Sequence, residues 1–169
     1  RGNDKNTCAT PTRPCATIQA AMGKALDGAN IYVASGAYKY NGQGYEVLLI
    51  QKDLEFSGGW NESFTRQSSL STIDGENQVF DVNIDSAGLV VTFDHFLMTH
   101  SSGLAYGAIM NHGKLLVKSS VFQYNGGSGI YIYPDGELTI IDSRISNNKG
   151  TFGGGIYTEG KSTIIRSSV

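Results

Sequence analysis

Charged residues are scarce in this chain. Asp, Glu, Lys and Arg make up 17% of its 169 residues, against about a quarter in ordinary globular domains. The formal net charge of −2 provides no basic field for a phosphate backbone, so we expect no nucleic acid partner. A chain with so little net charge is also unlike a charge-driven disordered protein.

Proline is rare and long apolar runs are missing, whereas glycine is abundant. There are 3 Pro and 22 Gly, and the glycines follow no three-residue period, which excludes collagen. No apolar run approaches the roughly 20 residues that a membrane-spanning helix needs, so we expect no membrane span in this chain.

The chain has 2 cysteines, Cys8 and Cys15, both near the start of the sequence. Metal sites usually need four ligands, and no histidine pair stands beside these cysteines, so we expect no metal and no cofactor. A disulfide that closes the N-terminal loop is favoured over two free thiols, and it points to an extracellular or cell-surface location. Asn61 opens an Asn-Glu-Ser sequon, a possible glycosylation site.

One helix is predicted, between Thr17 as the N-cap and Gly28 as the residue that ends it. Its apolar face consists of Ile18, Ala21, Met22 and Ala25, spaced i, i+3, i+4 and i+7. The remaining sequence consists of short apolar stretches separated by Gly, Asn, Asp or Ser, which is typical of β-strands.

The C-terminal half repeats with a period of about 24 residues. The copies begin at Gly113, Gly136 and Gly160, and a fourth lies upstream from Val91 to Ser101. Aligning them gives apolar columns: Phe93, Val117, Ile140 and Ile164; Met98, Phe122, Ile145 and Val169; Val91, Leu115 and Leu138.

Such columns predict an all-β fold, a single-stranded parallel β-helix in which identical side chains stack along the axis. We expect one domain over residues 1–169, with residues 1–28 as a disulfide-clipped cap whose helix covers the first coil. Residues 29–169 would form roughly six or seven coils, the last one incomplete. We expect glycine at the corners, where turns are tight and φ is often positive.

Two segments resemble right-handed β-helix proteins of the pectate-lyase-like superfamily, namely Cys15–Met22 and Ile31–Tyr38. Phe56–Gly75 is similar to bacterial cell-surface members of that group. Phe122-Gln-Tyr-Asn125, followed by Gly126-Gly-Ser-Gly-Ile-Tyr131, resembles the FxxN and GGA[ILV] repeats of polymorphic outer-membrane proteins. The resemblance implies a right-handed coil and an adhesin-like role.

The enzymes of that superfamily are mostly polysaccharide lyases and hydrolases, which need clustered acids. The column that contains Asp142 holds no second acid, and Asp142 beside Arg166 reads as an exposed ion pair. Asp74-Gly75 reads as a turn, although it echoes a motif of pectin hydrolases. No nucleophile accompanies His95, His100 or His112, so we predict no catalytic residue.

Asn125 and Asn148 repeat at the same place in successive coils, and their amides are expected to hydrogen-bond along the axis. Four tyrosines are candidate contacts for a glycan or a protein partner: Tyr124, Tyr131, Tyr133 and Tyr157. Their rings would either stack on sugars or, as the more ordinary interpretation, shield the sheet or pack against a neighbouring chain.

These observations predict a non-catalytic extracellular protein with a structural or adhesive role. It would assemble with itself or with other surface proteins through exposed coil edges, or bind surface glycans. The alternative is a polysaccharide-active enzyme, lyase or hydrolase, or an inactive relative that still binds glycans.

Overall fold

The computed structural model of the protein describes residues 2–40 and 45–169. Its helix α1 (Ile18–Lys24) begins at Thr17, whose side chain accepts a hydrogen bond from the Ala20 amide. The helix is shorter than predicted, because Ala25 is already extended and Lys52 Nζ donates to the carbonyls of Met22 and Ala25. Gly28 has a positive φ of 73°, beyond the helix and at the turn into the first strand.

The strands that follow are arranged in coils of three, and the last of them, β16, begins a further coil. The first two coils contain β1 (Ala29–Ala34), β2 (Gly36–Lys39), β3 (Glu46–Ile50), β4 (Leu54–Trp60), β5 (Ser71–Asp74) and β6 (Phe80–Ile84). The next two contain β7 (Val90–Asp94), β8 (Phe96–Thr99), β9 (Gly107–Asn111), β10 (Lys114–Lys118), β11 (Val121–Gln123) and β12 (Ser128–Ile132). The last strands are β13 (Glu137–Ile141), β14 (Arg144–Ser146), β15 (Ile156–Thr158) and β16 (Lys161–Ile165).

Each strand pairs in parallel with its counterpart one coil away, so three long sheets run along the molecule. Sheet A has the order β1-β4-β7-β10-β13-β16, sheet B the order β2-β5-β8-β11-β14, and sheet C the order β3-β6-β9-β12-β15. This is the predicted parallel β-helix with a helix at its N-terminal end. Such a topology places the same position of successive coils in one row, about 4.8 Å apart.

The coil number is lower than the predicted six to seven: five coils are complete and β16 begins a sixth. The reason is the second coil, which is longer than the period of the C-terminal repeats. Leu54 of β4 pairs with Val91 of β7, whereas Leu115 pairs with Leu138. The additional residues lie largely between β4 and β5, where Trp60 and Gln67 form an antiparallel bridge.

The core is the interior of the coil, and the predicted apolar columns are in register there. In sheet A one inward row extends the predicted column to the first two coils: Ile31, Phe56, Phe93, Val117, Ile140 and Ile164. The members from Phe56 to Ile140 are fully buried, while Ile164 on the edge strand β16 is 49% exposed. Burial of these stacked side chains is the main stabilising contribution of such a fold.

The glycines of the repeat are required for a reason other than the one we predicted. Gly113, Gly136 and Gly160 lie where the chain passes the preceding coil, and a Cβ on Gly136 would be 2.4 Å from the Asn111 carbonyl oxygen. The left-handed corner residues between sheets A and B are instead non-glycine: His95, Ser119, Asp142 and Arg166, with φ between 44° and 61°. Close approach of two coils, more than positive φ, therefore demands glycine.

The N-terminal segment is tied down by covalent and polar contacts. Cys8 and Cys15 form the predicted disulfide. The Asp4 carboxylate accepts hydrogen bonds from the backbone amides of Ala16 and Thr17 at 2.8 and 2.9 Å, and these bonds lower its pKa although partial desolvation opposes them. Within the described residues, no helix is long and apolar enough to cross a membrane.

Candidate functional site

A group of aromatic side chains covers the outer surface of sheet C. Ile130 and Ile132 of β12 point into the core, so the alternation of the strand directs Tyr131 outward. Tyr131 pairs in register with Tyr157 of β15, and their ring centroids are 4.8 Å apart with a tilt of 34°. The coil spacing therefore brings two predicted tyrosines into contact.

Three further rings extend this pair. Tyr133 lies 5.0 Å from Tyr131 between ring centroids, and Phe152 lies 5.4 Å from Tyr157. Tyr106, from the segment that precedes β9, lies 6.4 Å from Tyr131. We call these five residues the aromatic face: Tyr106, Tyr131, Tyr133, Phe152 and Tyr157. All four separations between ring centroids are within the range of favourable aromatic contacts.

A single carboxylate joins the two central hydroxyls. Glu159 Oε1 accepts a hydrogen bond from the Tyr131 hydroxyl at 3.0 Å and from the Tyr157 hydroxyl at 3.2 Å. Desolvation and the bond to Glu159 raise the pKa of Tyr131 to about 12, and the bond to Glu159 also raises the pKa of Tyr157. Both phenols thus keep their protons and act as donors around neutral pH.

His112, which comes directly after β9, borders the aromatic face. Its ring stacks on Tyr133 with centroids 3.8 Å apart and planes 9° apart, and its Nδ1 lies 2.9 Å from Asp135 Oδ1. Desolvation raises the pKa of Tyr133, and the charges of Glu159 and Asp135 act in the same direction. The face is therefore bordered by two carboxylates.

Part of this group shields the sheet, as the ordinary interpretation expects. Met110 of β9 pairs in register with Tyr131 and is only 3% exposed, although it occupies an outward position. Tyr106 and Phe152 nevertheless remain 41% and 65% exposed. The aromatic face thus covers the sheet and also presents ring surface to the solvent.

Tyr124 is the predicted tyrosine that lies elsewhere. It occupies a left-handed corner after β11, with φ of 59°, and makes no ring contact in the described part of the chain. Tyr106 and Glu159 belong to the face but were missed in the sequence. Tyr106 lies in a loop outside the aligned repeats. Glu159 occupies the position of Tyr133 in the next coil, because Ile132 pairs with Thr158 and each of the two residues comes directly after that pair. This equivalence could have identified Glu159 from the repeat.

Asn125 and Asn148 form a ladder of amides at the corner after sheet B. Asn125 Nδ2 donates to Asn148 Oδ1 at 2.9 Å, and Asn148 Nδ2 donates to the Phe122 carbonyl at 3.1 Å. One coil earlier, the Ser101 amide donates to Asn125 Oδ1. The residues with left-handed backbone conformation are Tyr124 and Asn147, each one position before an asparagine of the ladder. Asn125 and Asn148 therefore serve to hydrogen-bond backbone groups between coils, not to accommodate a positive φ.

The three histidines each face an aspartate through Nδ1. The pairs are His95 with Asp94 at 2.9 Å, His100 with Asp74 at 3.1 Å, and His112 with Asp135 at 2.9 Å. His95 and His100 have φ of 61° and 63°, which places them at corners of the coil.

Asp81 is a buried acid close to the Asp74–His100 pair and was missed in the sequence. The residue is fully buried, and neither carboxylate oxygen has a hydrogen-bond partner among the described residues. Desolvation raises the pKa of Asp81 well above its usual range, the charge of Asp74 raises it further, and the Thr99 backbone acts in the opposite direction. Burial therefore favours the protonated form of this carboxyl.

Asn61 is exposed in the loop between β4 and β5, and its side chain organises that loop. Its Oδ1 accepts from the Thr65 and Arg66 amides, and its Nδ2 donates to Thr65 Oγ1 at 3.1 Å. Attachment of a glycan to Nδ2 would remove the hydrogen bond from this atom to the Thr65 hydroxyl. Glycosylation of the sequon stays a prediction.

No three His, Cys, Asp or Glu side chains in residues 2–40 and 45–169 are grouped so that they could hold a metal ion. The family model described as "right handed beta helix region" matches residues 82–169, just over half of the chain. Comparison with curated proteins and with solved structures gave no match.

Proposed function

The chain belongs to the family of right-handed β-helix proteins, and from that premise we propose that it is a non-catalytic adhesive protein that acts outside the cell. The observation that carries the proposal is the aromatic face on sheet C. Its central rings are 4.8 Å apart and are held by Glu159, so their positions are set before a ligand arrives. Preorganised rings lose little conformational entropy on binding, and flat aromatic surface suits stacking on sugar rings.

The extracellular location rests on the bond between Cys8 and Cys15. Disulfides persist in oxidising compartments and are rare in reducing ones. In this chain the bond closes the loop just before α1, the helix that covers the first coil. Reduction would loosen that cap, so an oxidising location fits the structure.

The finer relationships remain proposals. We propose that the chain is related to the pectate-lyase-like superfamily, on the strength of Cys15–Met22 and Ile31–Tyr38. We propose further that its repeats are related to those of polymorphic outer-membrane proteins. The FxxN segment Phe122–Asn125 supports this relationship, because its asparagine is the residue that bonds to the next coil.

A polysaccharide-active enzyme is the second candidate. The one observation in its favour is that two acids, Asp74 and Asp81, lie close together, with His100 paired to Asp74. Glycoside hydrolysis needs two carboxyl groups that both reach the substrate. Asp81 is fully buried, so only Asp74 of this pair of acids is open to a ligand. Incubation with acidic and neutral polysaccharides tests this candidate. New reducing ends or unsaturated products that disappear in Asp74→Asn would replace the non-catalytic proposal.

Self-association through coil edges is proposed as a further property. Ile164 and Ile165 of β16 are 49% and 37% exposed, and β16 is the last strand of sheet A. An unpaired edge of this kind accepts a parallel strand, and we propose that a second copy or another surface protein can supply it where no further stretch of the same chain does. Light scattering across a concentration series tests it: assembly that Ile164→Asp abolishes supports the proposal, and a concentration-independent mass contradicts it.

Ligand binding by the aromatic face is tested with Tyr131→Ala and Tyr157→Ala on a panel of glycans. Removal of one stacked ring is expected to weaken binding by roughly tenfold. Tyr124→Ala is the matched control, because Tyr124 is 58% exposed and lies outside the face. Equal binding by all three variants and the parent protein would contradict the proposal.

A further inference from the structure

We infer that the aromatic face selects polysaccharides that carry free amino groups over neutral and acidic ones. The inference rests on the proposed glycan-binding function and adds the chemical class of the ligand. It follows from the charges that surround the rings, taken with the way the rings are spaced.

Glu159 supplies negative charge beside the rings. Its Oε1 is occupied by the two tyrosine hydroxyls, while its Oε2 accepts no hydrogen bond within the described residues. Glu159 is exposed and forms no ion pair there. The nearby strand β16 starts with Lys161, but that ammonium pairs with Glu137 on sheet A. A cation arriving from solvent therefore finds an unused carboxylate oxygen beside the rings.

Asp135 adds a second carboxylate on the other side of Tyr133. Its Oδ1 lies 2.9 Å from His112 Nδ1, and the His112 ring contacts this end of the face. Glu159 has no such histidine or basic partner among the described residues. The negative character of the face therefore depends chiefly on Glu159.

The rings themselves favour the same ligand class. Aromatic faces attract cations through the negative charge of their π-systems, and tyrosine rings also stack on the apolar face of a pyranose. An amino sugar offers both groups on one ring. A uronic acid instead places its carboxylate near Glu159 and is repelled.

A polymeric sugar suits the spacing better than a basic peptide does. The rings form a continuous row, with centroid separations of 6.4 Å from Tyr106 to Tyr131, 4.8 Å to Tyr157 and 5.4 Å to Phe152. Tyr106, Tyr131 and Tyr157 belong to three successive coils, so ring surface recurs from one coil to the next. A lysine side chain, in contrast, is best held by rings that enclose one ammonium group.

The test compares chemically matched ligands. Oligomers of N-acetylglucosamine, their deacetylated amine form and oligogalacturonate are titrated by calorimetry at about pH 6, where exposed carboxylates are ionised. The amine form is expected to bind roughly five- to tenfold more tightly than the acetylated form at low salt, with the difference lost at high salt.

Glu159→Gln is the diagnostic variant, because the glutamine oxygen still accepts the tyrosine hydroxyls while the charge is removed. It is expected to abolish the preference, so that the amine form and the acetylated form bind this variant with equal affinity. Glu55→Gln, at an exposed position of β4 on sheet A, is the matched control and is expected to keep the preference. Circular dichroism confirms that both variants fold.

The outcomes separate the inference from the function on which it rests. If none of the three oligomers binds, the glycan-binding proposal fails and the inference fails with it. If the three bind equally, glycan binding stands and the selectivity for amines is overturned. A lysine-rich peptide that binds as tightly as the amine oligomer would assign the face to basic proteins instead.

Discussion

Phe56 and Phe93 stack in parallel inside the coil, with ring centroids 4.7 Å apart and planes within 5°. They are in register across β4 and β7, and both are fully buried. Phe96 meets Phe93 edge-on, at 5.2 Å between centroids. The second coil, which is the longest in the described part of the chain, begins at β4 and leads to β7, and the two phenylalanine rings pack together where these strands lie side by side.

Phe93→Ala is expected to lower the free energy of unfolding by about 3–5 kcal/mol, because it removes the ring that contacts both other phenylalanines. Urea denaturation followed by circular dichroism measures the change. Phe152→Ala is the control: its ring is 65% exposed, so the effect on stability should stay within about 0.5 kcal/mol. Equal losses in the two variants would contradict the assignment of the core.

Gly136→Ala and Gly23→Ala are expected to change stability in opposite directions. The new methyl group at Gly136 would meet the Asn111 carbonyl oxygen at 2.4 Å, so the coils must separate locally. At Gly23 no atom lies within 4 Å, and alanine in a helix is favoured over glycine by about 1 kcal/mol. Thermal unfolding should give a lower midpoint for the first variant and a higher one for the second.

Asn148→Ala is expected to cost about 1–3 kcal/mol in unfolding free energy, because it leaves the Asn125 backbone and side-chain amides without their acceptor. Hydrogen exchange at the Asn125 amide should accelerate. Asn147→Gly, one position earlier, replaces an exposed residue with φ of 58° and should be neutral or slightly stabilising. If Asn125 exchange is unchanged in Asn148→Ala, the ladder contributes nothing to stability.

Asp81→Asn is expected to change how stability depends on pH. Burial raises the pKa of this carboxyl well above its usual range in the folded protein, whereas in the unfolded chain it ionises near pH 4. Between those two pKa values the folded state holds the extra proton, so the stability of the parent protein falls as pH rises, by up to about 1.4 kcal/mol per unit.

The variant lacks this ionisation, so its advantage over the parent should grow from about pH 4 towards the folded pKa. Urea denaturation at a series of pH values measures the difference. Asp85→Asn, at an exposed position at the end of the same strand, is the control and should leave the slope of the parent in place. A difference that stays constant with pH would show that Asp81 is ionised in the folded protein.

The aromatic face shows how far the sequence could predict a site. Tyr131 and Tyr157 follow the same Gly-Ile pair in successive repeats, and parallel pairing in register brings any such residues together. Tyr106 and Phe152 come from connecting segments, whose lengths vary between coils. Their positions depend on how each loop folds over sheet C, and no period in the sequence encodes that.

Asp81 shows the opposite limit. It lies just before the region where the repeats are regular, and an aspartate in a strand is expected on the solvent side. Its burial arises because the corner at Gly75 packs directly against it: a Cβ on Gly75 would be 2.2 Å from Asp81 Oδ1. Contact between this corner and the strand β6 is a tertiary property that no column of the sequence reports.

The 24-residue period was enough to predict the coil and its inward columns, because in a solenoid each residue contacts its own counterpart one repeat away. The helical cap was predicted separately, from the amphipathic spacing of Ile18, Ala21, Met22 and Ala25. Sequence distance then determines spatial distance. The tertiary structure alone decided the number of coils, the use of glycine at close contacts, and the meeting of Glu159 with two tyrosine hydroxyls. These features depend on irregular loops and on packing between corners, for which the repeat contains no information.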